Sequence, residues 1–278
     1  MPRLTPSLTF AALLGAATPA FAASEGARIE GTWMAIGDML GVLPGHIEVL
    51  TVEGARATSV TWRAPAADCG AAPAAPGCTL PIPTASGAFT GNSFEIGIEP
   101  DAANASPFAG EEVAPLWPLL ALDGAPWTMF RQDGRLMTTR EATIAGTTIP
   151  MIRLWLQVDP ALPEALFDYL VSFDLDIARA LCPVSTLHGD PQAWEALSAT
   201  LIAAAPVLHD HRLAAGRGAP PPAAADGEPA EAFALLAALA AEDAEPPEGV
   251  TLLPGLPWPA SQAMADAAQD CLDRAFGG

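Results

Sequence analysis

The chain has 278 residues, 32 of them acidic and 12 basic, giving a net charge of −20 at pH 7, and every basic residue is arginine. So negative a surface repels phosphate backbones and anionic headgroups, which argues against nucleic acid and bilayer partners. The absence of lysine removes Schiff-base and pyridoxal-phosphate chemistry and phosphate-loop nucleotide binding, each of which needs that amine; no cofactor is expected.

Residues 1–22 read as a cleavable secretory signal. Arg3 supplies the positive start, Leu8 to Ala17 the apolar run, and Ala20-Phe21-Ala22 the small-x-small pattern that predicts a cut after Ala22. The run is far short of the roughly 20 residues a membrane-spanning helix needs, so a soluble periplasmic or secreted protein without membrane insertion is expected. In an oxidising compartment, Cys69, Cys78, Cys182 and Cys271 suggest two disulfides. Three pairings are formally open. Cys69 and Cys78 bracket one short Ala/Pro/Gly loop, and Cys182 and Cys271 each fall near the apolar face of a predicted helix, which favours 69 with 78 and 182 with 271.

From Ile29 to Val158, short β-branched and aromatic runs alternate with turn signals, the pattern of an antiparallel meander. Turns are expected at Glu53-Gly54, Gly91-Asn92, Asp133-Gly134 and Ala145-Gly146. They separate runs at 29–36, 47–52, 57–63, 88–90, 94–98, 127–131, 136–141 and 148–158. About eight strands suffice for a small barrel or a sandwich. The proline-rich connection over 100–126 reads as a cover over one end, since Phe108, Leu116, Trp117, Leu119 and Leu120 are costly to leave in water.

After Asp159 the period becomes helical. Asp159-Pro160 starts a helix striped by Leu162, Leu166, Tyr169, Leu170, Phe173, Ile177 and Leu181. Asp190-Pro191 opens a second, disturbed at Pro206. The Gly/Ala/Pro-rich segment 212–229 reads as a loop; Phe233, Leu236 and Leu239 mark a third helix, and Met264 to Ala275 a fourth. The expectation is an α+β fold: a signal over 1–22, an antiparallel β domain over 23–158, and a region of about four helices over 159–278.

Register arithmetic on the last two hairpins puts Trp127, Arg140, Arg153 and Trp155 on one side of the sheet. Four arginines against Asp133 and Glu141 give residues 131–153 a local charge of +2. Arginine forks bind carboxylates or phosphates and stack on indoles, so this face is the candidate site for a small anionic or aromatic ligand. A simpler use for it is docking against the acidic helix bearing Glu164, Asp168, Asp174 and Asp176. Glu164, Asp168 and Asp176 line one helical face, where solvation accounts for them better than acid catalysis does.

His209-Asp210-His211 has metal-ligand spacing only if extended; on a helix the imidazoles diverge. Because the pair follows Pro206, contact with terminal carbonyls is the simpler reading, and no metal is expected. His46 and His188 read as isolated surface or capping residues, and Trp33, Trp62, Trp117, Trp194 and Trp258 as core. No hydrolase serine elbow, zinc-protease helix or glycine fingerprint is present, so no residue is assigned a catalytic role.

Gly31-Thr32-Trp33 on the first strand resembles the Gly-x-Trp opening of lipocalins and related calycin barrels, which bind small apolar ligands. The resemblance implies barrel architecture and carries over no ligand residue. The leading reading is an exported, non-enzymatic module that binds a small ligand or a periplasmic protein. Its alternatives are a hydrolase with a site between the β and helical parts, using a histidine and a carboxylate, and a structural assembly partner.

Overall fold

The computed structural model describes residues 29–37, 46–54, 56–63, 80–88, 95–100, 127–132, 135–144, 146–175, 191–220, 222 and 226–240. The expected signal segment, all four cysteines with their pairing, the cover over 101–126, His188 and the fourth helix lie outside these residues. The described chain is α+β. Eight strands come first: β1 (Gly31–Gly37), β2 (His46–Glu53), β3 (Arg56–Arg63), β4 (Ile82–Ala88), β5 (Glu95–Pro100), β6 (Trp127–Gln132), β7 (Arg135–Ile144) and β8 (Thr147–Val158). Three helices follow: α1 (Leu162–Ser172), α2 (Pro191–Gly216) and α3 (Glu228–Ala240).

Each strand pairs antiparallel with the next, and β8 also pairs with β1. The β5–β6 seam is the thinnest, resting on Glu95 with Thr128 and Ile96 with Trp127. Turn chemistry sets the registers. Gln132 pairs with Arg135 and Ile144 with Thr147, the registers that the turn signals predict. Glu53 pairs with Arg56, so β2 runs one residue further than expected, and Gly54 follows it at φ 59°.

Strand β4 departs from expectation. It runs over Ile82–Ala88 instead of starting at Ala88. Its Pro83, Ser86 and Gly87 are weak strand formers, and Pro83 has no N–H for the ladder. The β3–β4 register shifts at Ser59/Val60, so that Ser59 faces Ala85 while Val60 faces Pro83. A bulge at that point tolerates the proline.

Side chains alternate across the sheet, and the two faces have different jobs. Met34, Ile47, Val49 and Trp62 face the helices and join Leu162, Leu166, Phe167, Leu170, Leu201, Leu208, Leu236 and Leu239 in one buried cluster. The Trp62 and Phe167 ring centroids lie 5.6 Å apart, fixing α1 over β2 and β3. Each fully buried side chain of this kind contributes about 1.5–3 kcal/mol. The core therefore draws on strands and helices together.

Asp159 turns the chain into α1: its Oδ1 accepts from the Ala161 N–H at 2.9 Å and its carbonyl from the Leu162 N–H at 3.0 Å. The helix stops at Ser172, short of the expected stripe through Leu181. Asp174 adopts φ 53°, its N–H donates to the Val171 carbonyl, and the Leu175 N–H reaches back to Leu170 at 2.9 Å. These are the paired bonds of a Schellman stop. α2 continues through Pro206 to Gly216, so Arg212 belongs to a helix. Pro229 belongs to α3, which narrows the loop expected over 212–229. Packing of Leu201, Ala204, Val207 and Leu208 holds the turns on either side of the proline.

Candidate functional site

The face of the sheet away from the helices carries the predicted Arg/Trp constellation. Leu136 pairs with Trp155 and Thr138 with Arg153, as the register arithmetic requires. Arg140 pairs with Met151, and the Thr128–Thr139 pair puts Trp127 beside that rung; the Trp127 side chain lies outside the described residues. Trp155 is fully buried and Arg153 is 4% exposed. The Trp155 indole N–H donates to the Thr138 hydroxyl at 3.0 Å, and the Arg153 guanidinium lies 6.0 Å from the Trp155 ring centroid.

The acidic partner of this face is not α1. Arg153 Nη1 meets Glu48 Oε2, both side chains being buried. Glu48 sits on β2 and Arg153 on β8, with β1 between them. On β1, Ala35 stands opposite Glu48 and Gly37 opposite His46. Ser59 on β3 donates to Glu48 Oε1 at 3.2 Å. Desolvation lowers the Arg153 pKa to about 10, which leaves it charged at neutral pH.

Around this pair the same face of the sheet is graded. At one end stand Trp33, Leu50, Val52 and Ala57; Trp33 is fully buried, and its indole N–H donates to the Ile29 carbonyl at 2.7 Å. Toward the other end stand His46, Arg63, Thr138 and Arg153, with Arg140 one rung beyond. His46 is fully buried, against the expectation of a surface residue. Trp33 and Trp62 are core residues as expected, and Trp194 packs half-buried against the core.

A second cluster lies between α1 and α2. Glu164 and Asp168 are four residues apart on α1, and His209 and Arg212 three apart on α2, so each pair shares a helical face. His209 Nδ1 is 3.5 Å from both Glu164 Oε1 and Asp168 Oδ2. Arg212 Nε pairs with Asp168 Oδ1, and its Nη2 lies 3.2 Å from His209 Nδ1 and 3.9 Å from Glu164 Oε1. The Phe167 ring centroid lies 5.9 Å from the guanidinium.

Two expectations fail here. Asp168 is 1% exposed rather than on a solvated face. Burial pushes its carboxyl pKa up, with the neighbouring Arg212 charge opposing the shift. His209 and His211 lie inside α2 and diverge: His209 faces the carboxylates, while His211 lies 4.5 Å from the Phe233 ring centroid, where burial lowers its pKa. With α2 running on to Gly216, neither histidine meets terminal carbonyls.

The sequence reading missed Glu48, Ser59, Thr138 and Arg212 as site residues. Glu48 between apolar neighbours in an alternating strand was a visible signal, as was the spacing of Arg212 from His209. The Gly-x-Trp resemblance rests on its tripeptide, whose Gly31 adopts φ 125° with an ideal Cβ placed 3.1 Å from Gln157 Nε2. No family model, curated protein or solved structure matches this chain.

Proposed function

We propose that the protein is an exported, non-enzymatic binding module whose eight strands roll into a small barrel and whose ligand is a small anion, held at the basic end of the inner face. The continuous pairing from β1 through β8 and back to β1 supports the barrel. The observation that carries the ligand class is the grading of the inner face: His46, Arg63, Arg140 and Arg153 against Glu48 at one end, and apolar residues at the other. In a chain of net charge −20, a local surplus of guanidinium is a specific attraction for carboxylate or phosphate groups. Arg140, one register step beyond the Thr138–Arg153 rung, and Arg63, opposite His46, are the proposed contacts, with Trp155 beneath as reporter.

Thermal shift and indole fluorescence with acetate, succinate, citrate, benzoate and inorganic phosphate test this reading. Stabilisation by at least one of them, reduced at least about tenfold in apparent affinity by Arg140→Gln, is the expected result. No stabilisation and no quenching by any of the five would sink it.

A second reading, a hydrolase, draws on His209 facing Glu164 and Asp168. That cluster lies between two helices, not between the β and helical parts. Loss of ester or amide hydrolysis in His209→Ala would favour it, and wild-type protein inert toward such substrates would remove it.

A further inference from the structure

The α1–α2 cluster brings together three atoms that repel one another. Arg212 has no acceptor, so its 3.2 Å contact with His209 Nδ1 requires that nitrogen to present a lone pair. The same lone pair faces Glu164 Oε1 and Asp168 Oδ2, each at 3.5 Å, too long for a good hydrogen bond. Asp168 Oδ2 is buried and has no hydrogen-bond partner, although its carboxylate is 1% exposed. The Arg212 guanidinium pairs with Asp168 Oδ1 and lies 3.9 Å from Glu164 Oε1, but the buried Asp168 Oδ2 stays without a hydrogen-bond partner, and the three donor atoms around it suit a second cation.

The spacing suggests which cation. A tetrahedral ion with bonds of about 2.0–2.2 Å to nitrogen and oxygen separates its ligands by about 3.3–3.5 Å. Both separations from His209 Nδ1 match that edge, and all three donor atoms lie within 4.8 Å of one another. Closing the remaining side requires only rotation of Glu164, whose side chain is 48% exposed. An imidazole with two carboxylates suits a borderline ion, the carboxylates balancing a double positive charge. Arg212 on the far oxygen of Asp168 then acts as the outer partner that fixes a ligating carboxylate.

We propose that Glu164, Asp168 and His209 form a binding site for zinc, with Asp168 oriented by Arg212 and the fourth coordination position open. This goes against the absence of a metal expected from the sequence and stands independently of the anion site. Three protein ligands with an open position are the arrangement of zinc that stays reactive toward water.

The test uses tag-free, chelator-stripped protein titrated with zinc chloride in excess magnesium, followed by calorimetry, with cobalt(II) replacing zinc to read coordination in the visible spectrum. The expected result is one zinc per chain, raised thermal stability, and a tetrahedral cobalt band. His209→Ala and Glu164→Gln should each weaken binding at least about tenfold, and Arg212→Gln about 10- to 100-fold. His211→Ala should bind as wild type. Because Glu164 and His209 are part-exposed, circular dichroism should show both variants folded; if one unfolds, the other decides. No zinc uptake, or uptake unchanged in the folded variants, overturns the site, the latter meaning adventitious surface zinc only.

Discussion

Glu48 on β2 and Arg153 on β8 form an ion pair across the intervening strand β1, on which Ala35 stands opposite Glu48. Taking two charges out of water costs several kcal/mol per ion, and their attraction offsets that only while both are present. Arg153→Met should therefore lower unfolding free energy by about 3–5 kcal/mol, leaving Glu48 buried and unpaired. Adding Glu48→Met should recover most of the loss. Urea denaturation of the two variants checks this; a single-variant cost under about 1 kcal/mol would mean the pair is solvated.

Tyr169 is the chain's sole tyrosine, 3% exposed, with its ring centroid 5.4 Å from that of Phe173. Burial raises its phenol pKa above the ordinary value near 10. Above that pH the unfolded chain releases the proton while the folded chain retains it, so stability contributed by this group is present below pH 10 and lost as pH rises. Phenolate absorbance should thus appear only with unfolding. Titration near pH 10 with circular dichroism unchanged would contradict the burial.

Pro206 interrupts the hydrogen-bond ladder of α2 from an exposed position. Alanine restores the missing N–H and removes the ring clash, so Pro206→Ala should stabilise the protein by about 1–3 kcal/mol. A lower melting temperature would show that the packing at Val207 and Leu208 depends on the bend.

Asp174 ends α1 in the left-handed region at φ 53°. Glycine adopts that conformation without steric cost, so Asp174→Gly should raise stability by about 0.5–1 kcal/mol with α1 unchanged in length. Destabilisation would assign the Asp174 side chain a role beyond the turn.

Much of the sheet was legible because its signals are local. The turn signals Asp133-Gly134 and Ala145-Gly146 predict two hairpin registers, and those registers set Leu136 opposite Trp155 and Thr138 opposite Arg153. Strand β4 was misplaced because Pro83 is admitted by a bulge on its neighbour, which no local propensity records. The stop of α1 was missed because an aspartate holds the position that glycine usually marks.

The sequence by itself determined the period of most segments, the switch from strands to helices after Asp159, the registers of the last two hairpins and the negative balance of the chain, because backbone sterics and side-chain alternation act over a few residues. Only the tertiary structure decided partnership. It matched Arg153 with Glu48, which lies 105 positions earlier in the chain, instead of with the acidic helix. It also buried Asp168 beside His209 and Arg212 from another helix. Which charge meets which depends on how distant elements pack, and burial then sets the electrostatics of each pair by removing the water that would otherwise screen it.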